Sequence, residues 1–204
     1  QNLPPGTIPP EYLGDLARMT AYYALQYIGP LLILIFATQL STMATVDVFV
    51  GEKERKTFER LLALPITDSE IIAGKMITPF FLSLFNGWIM AGSFICALSL
   101  VTAIHPANHW VVFLIFLMPC SILYSVSGTL ALTIRGLQYR EALQYAGIVS
   151  VSPSIILLFL QSFGYVILDS KTFVLTSVSF MLVSIVAILI IIRRFDRERI
   201  IVER

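Results

Sequence analysis

The chain has 204 residues, of which 57% are hydrophobic and 13% charged, and its mean hydropathy is +0.83. A water-soluble fold cannot hide that share of apolar side chain, so the composition specifies a membrane protein rather than one or two soluble domains. The net charge of +1 singles out no partner, and Cys96 and Cys120, each inside an apolar run, act as small hydrophobes and argue neither for a metal site nor for a disulfide framework.

In chain order, residues 1–10 carry Pro4, Pro5, Pro9, Pro10 and Gly6, an extended linker that can be neither helix nor central strand. Helical character begins near Glu11, so residues 1–20 read as an extracytoplasmic linker with a helix start and residues 21–204 as the membrane domain. Tyr12, Tyr22, Tyr23 and Tyr27 cluster ahead of the first span, expected over 22–45, whose far end Asp47 marks. Further spans are expected over 71–104, 110–134, 142–168 and 172–192. Trp110 reads as an interface anchor, residues 135–141 as a short polar loop, and Pro153, Gln161 and Gly164 as the reason for the fourth span to break or re-enter near its end. The fold class is therefore all-α and polytopic.

The longest polar interruption is residues 51–75, with 51–70 as its working part. Phe58, Leu61 and Leu62 fall at i, i+3, i+4, one apolar stripe on a short helix over about 54–64, with Glu59 and Arg60 on its wetter side. Pro65 ends that helix. Thr67 and Glu70 form a capping box that starts a new helix into the membrane. The amphipathic helix either lies in the headgroup layer or docks on a soluble partner.

Twelve of the fourteen Lys and Arg residues fall in this segment, in the 135–141 loop or in the tail 193–204; the other two are Arg18 and Lys171. The positive-inside rule makes the tail and the long polar segment cytoplasmic and places residue 1 outside. Five spans with an outside start lead to the expectation of an earlier span before Gln1.

Pro30, Pro79, Pro119 and Pro153 put a proline in each of the first four spans, where each frees a backbone carbonyl and permits a bend. Ser83, Gly87 and Ala91, and Ser121, Ser125 and Thr129, repeat small residues at every fourth position and predict close-packing faces. Gln39, Asn86, Ser121, Ser125 and Gln144 are the candidate lining of a substrate path. No acid, Lys or Arg lies in the apolar core of a span, which argues against a proton relay. No phosphate-binding loop, zinc-protease helix or serine-hydrolase elbow occurs, so no catalytic or metal-ligating set is assigned, and an ATPase, if one drives the chain, is a separate polypeptide.

The run Glu52-Lys53-Glu54-Arg55-Lys56-Thr57-Phe58-Glu59-Arg60-Leu61-Leu62-Ala63-Leu64-Pro65-Ile66-Thr67, followed by Glu70-Ile71 and Gly74-Lys75, resembles the permease subunits of ABC-2 type transporters. Lys56 stands where that family commonly has glycine, and Phe58 where it has leucine. The end of the chain, Phe195-Asp196-Arg197-Glu198-Arg199, also resembles their basic tail. The resemblance implies a six-span exporter permease of the plasma membrane with its first span ahead of Gln1. It implies that Glu52, Glu54, Arg55, Thr57, Phe58, Arg60, Leu61, Leu62 and Pro65 couple the chain to an ATP-binding subunit. ATP and Mg would then sit on that partner, no cofactor on this chain, and a second permease subunit would complete the assembly. The rival reading is a membrane scaffold or sensor that recruits a soluble cytoplasmic partner and moves no substrate.

Overall fold

The computed structural model describes residues 14, 19–20, 28–52, 67–102, 109–133, 138–162 and 170–194, and among these every regular element is helical. Helix α1, Gly29–Val46, runs straight on through a π-helical turn, Asp47–Gly51. Helix α2 is Asp68–Thr102. Helix α3 begins as His109–Val112, widens into a second π turn, Phe113–Leu117, and continues as Met118–Thr133. Helices α4, Tyr139–Ser162, and α5, Ser170–Arg194, complete the bundle. Five stretches of these helices are long and apolar enough to cross a bilayer: Gly29–Gly51, Glu70–Ala97, Trp110–Thr133, Tyr139–Leu160 and Val174–Arg193.

Helix α3 is the central post and packs against each of the other four. Met118, Ile122, Val126 and Leu130, on one side of it, are fully buried. The small-residue faces expected from the sequence pack closely. A Cβ added at Gly87 would lie 2.6 Å from Met118 Cε on α3 and 3.3 Å from Ala37 Cβ on α1, so three helices meet there with no room to spare. Ser83 and Thr129 are buried, and their hydroxyls find no hydrogen-bond partner. They serve by being small. The polar residues of α1 return their hydroxyls to its own carbonyls, Ser41 to Thr38 at 2.7 Å and Thr45 to Ser41 at 2.6 Å, which lets them sit inside a membrane bundle without a free donor.

The outer faces are apolar. Phe81 and Phe85 on α2, Ile148 and Phe159 on α4, and Leu175 and Leu182 on α5 are all exposed. A surface of that kind matches lipid rather than water.

Three sequence expectations are corrected. The first span does not end at Asp47: the helix carries on to Gly51, where the missing side chain leaves room for the Asp47 carboxylate, whose Oδ1 would lie 2.8 Å from a Cβ at that position. Helix α4 starts at Tyr139, inside the expected polar loop, because the Glu141 carboxylate reaches back to the Gln138 N–H at 3.4 Å and Ala142 N–H closes on Gln138 O at 2.9 Å. Trp110 is not a surface anchor. It is 1% exposed, stacked on Phe94 with centroids 6.2 Å apart and set edge-on to Phe113 at 5.7 Å. Helix α4 passes regularly through Gln161, while Gly164 lies outside the described residues.

The prolines act differently from one another. Pro30 occupies the first turn of α1, whereas Pro79 and Pro153 lie inside α2 and α4. The π turn Phe113–Leu117 ends two residues before Pro119. A proline ring clashes with the carbonyl four residues back, and a local widening of the helix relieves that clash.

Candidate functional site

The end of α1, the start of α2 and the start of α4 come together at one end of the bundle. Val46 and Val50 pack on Ala142 and Ala146, with Tyr139 and Leu143 alongside. The polar segment after Glu52 leaves from this end, and the chain re-enters it at Thr67.

Both borders of the segment are fastened. At its far border Glu70 accepts the Thr67 N–H at 2.8 Å, the half of the capping box in which the acid reaches back; the Thr67 hydroxyl donates to the same carboxylate at 2.7 Å instead of accepting the Glu70 N–H, and the Glu70 and Ile71 N–H groups both close on Thr67 O at 3.1 Å. At its near border the backbone tightens just beyond the π turn, with a bond that spans three residues. In a regular α-helix the Glu52 N–H would bond to Val48 O; here it bonds to Phe49 O instead. Val48 O is thereby released from Glu52, and Lys75, reaching across from α2, donates to it at 3.1 Å.

Lys75 makes two further contacts with the same turn. Its ammonium is 2.6 Å from the Glu52 carboxylate and 5.0 Å from the centroid of the Phe49 ring. The Lys75 side chain is 8% exposed and that of Glu52 39%, so the ion pair sits at the margin of the bundle with its cation inside. A buried ammonium needs its three donors occupied, and a carboxylate, a carbonyl and a ring face supply that shell. The pair joins residues 23 apart in sequence and clips the start of α2 to the last turn of α1.

At the other π turn a carbonyl is left open in a different way, by a bond that reaches five residues back instead of three. Met118 N–H bonds to Phe113 O rather than to Leu114 O, and Pro119 has no N–H to offer, so Leu114 O is left to the Trp88 indole N–H of α2 at 3.3 Å. Helix α2 thus supplies a side-chain donor to each of the two widened turns.

Of the residues expected to couple the chain to a partner, Glu52 is the one described, and it belongs to the clip. Glu54, Arg55, Thr57, Phe58, Arg60, Leu61, Leu62 and Pro65 lie outside the described residues. The candidate path residues fall into three settings. Gln39 accepts a hydrogen bond from the Ser150 hydroxyl on α4, beside a second tie in which the Thr38 hydroxyl lies 2.8 Å from Ser150 O. Ser121 and Ser125 are fully buried and bond back to Leu117 O at 2.6 Å and Ser121 O at 2.9 Å, so they belong to the packing of α3. Asn86 and Gln144 face outward from the chain.

In the sequence Lys75 figures as a positive charge and as the end of the run that resembles the permease family, with no partner assigned to it. Its position in the otherwise apolar run Ile71-Ile72-Ala73-Gly74-Lys75-Met76 was the available signal, because an ammonium there must be paired. Fold and site together define a polytopic α-helical membrane protein in which the helices on either side of the polar segment are clipped to each other. No protein-family model, curated protein or solved structure matches the chain.

Proposed function

We propose that the chain is the permease subunit of an ATP-driven ABC-2 type transporter, working as an exporter in the plasma membrane with residue 1 outside and the tail in the cytoplasm. The observation that supports this most is the position of the polar segment: it joins two membrane-length helices at the bundle end where α4 begins, and twelve of the fourteen Lys and Arg residues fall in it, in the 135–141 loop or in the tail. In this reading Phe58, Leu61 and Leu62 fill an apolar groove on a separate ATP-binding subunit, and Glu52, Glu54, Arg55 and Arg60 make rim contacts that set its orientation. Thr57 and Pro65 shape the segment. ATP and Mg bind to that subunit, and a second permease completes the assembly.

The test combines topology with capture. Cysteine labelling of residues 53–66 in intact cells is expected to require membrane permeabilisation. Affinity purification of the unaltered chain is expected to bring an ATPase with it, and the double variant Phe58→Ser, Leu61→Asp to insert normally while retaining less than about a tenth of that ATPase, the loss expected when two central anchors of an interface are removed. Labelling from outside, or equal capture by the variant, overturns the reading; capture of a partner without ATPase activity favours a scaffold.

A further inference from the structure

We infer that Lys75 is the positioning residue through which segment 53–66 acts on the bundle, a step that rests on the coupling reading above for the source of the force.

The argument starts from the covalent chain. A push on a segment between two helices reaches the membrane only if the helix ends yield less than the segment does. At the near border α1 ends in a π turn, a widened geometry that departs from the regular helical ladder. Left alone, such a turn would absorb displacement by rewinding. Lys75 removes that freedom, because it holds the Val48 carbonyl within the turn, the carboxylate one residue beyond it, and the ring between them. The far border is already a capped helix start, and Lys75 lies two turns into that same helix. One ammonium therefore makes the two ends of the segment a single rigid frame.

The choice of side chain fits the task. Three separate acceptors around one point suit a compact cation with three donors on a long stem, whereas the planar fork of arginine matches a bidentate acceptor in one plane. Glu52, the more exposed partner, sets orientation, and Val48 O supplies the contact that only a donor can satisfy.

Two measurements test this, both on the full chain in lipid with Cys96 and Cys120 replaced by Ala. In the first, spin labels on Met43→Cys and Ile77→Cys, exposed positions on α1 and α2, report the separation of the two legs without any partner. Lys75→Met is expected to broaden that distance distribution, and Glu52→Gln, which keeps an acceptor for Lys75, to broaden it less. In the second, labels on Ile77→Cys and Ile190→Cys follow α2 against α5 in the complex with the captured ATPase. The ATP-dependent shift seen with Lys75 present is expected to fall below half in Lys75→Met while ATPase capture stays unchanged. An unbroadened distribution in the first experiment, or a full-sized shift in the second, overturns the role of Lys75. Absence of a captured ATPase from the chain with Lys75 intact is a failure of the transporter reading, and the first experiment still decides whether Lys75 clips the two legs.

Discussion

Replacing Trp110 with alanine is expected to cost about 3–5 kcal/mol of bundle stability, the largest single effect in the molecule. The indole is fully enclosed between Phe94 and Phe113, where α2 and α3 meet near one end of the bundle. Its removal leaves an aromatic-sized void that neither ring can fill without leaving its own contacts. Trp110→Phe is expected to cost far less, because the indole N–H is buried without a hydrogen-bond partner and its loss gives up no bond. Reversible unfolding in mixed detergent micelles measures both. Equal costs for the two variants would show that the N–H, not the ring volume, is what matters there.

The second large effect is expected at Gly87. Valine there places branched methyl groups where a bare Cβ would already lie 2.6 Å from Met118 Cε and 3.3 Å from Ala37 Cβ. The Met118 end can swing aside, since it is flexible, but Ala37 is a methyl fixed on the α1 backbone. The strain is therefore expected to fall on the α1–α2 spacing and to cost about 1–3 kcal/mol. Shortening the neighbour in a Gly87→Val, Met118→Ala double variant is expected to recover part of that loss, and the coupling energy from the four-member cycle measures the contact directly. Strict additivity of the two changes would mean that the helices do not meet at this point.

These two sites also show how much of the architecture can be read before the fold is known. Five spans follow from runs of apolar residues matched to bilayer thickness, and the Ser83, Gly87, Ala91 stripe follows from helical spacing, because in lipid small residues are what allow helices to approach. Trp110 was misplaced since an aromatic at the start of a span looks the same in sequence whether it faces headgroups or another helix. The end of α1 was set too early because an Asp normally signals water, and only the neighbouring glycine shows how its carboxylate is accommodated. At the candidate site the capping pair Thr67 and Glu70 is local, three residues apart, and therefore legible. The Lys75 to Glu52 pair depends on two helices folding back on one another, and the carbonyl it completes depends on a π turn and the tightened bond just beyond it, which leave no mark in hydropathy.

The two widened turns have a further consequence, for rotational phase. Each inserts about one residue, or about 100° of rotation, relative to a regular α-helix, so the residues that α3 presents before Phe113 and those it presents after Met118 do not keep one regular helical spacing in the sequence. The widened turn takes up that extra residue locally. Loss of one residue there would restore a regular α-helix with its flanking faces in place but close the carbonyl that Trp88 uses, whereas exchanging Leu114 for another aliphatic residue would leave that acceptor as it is.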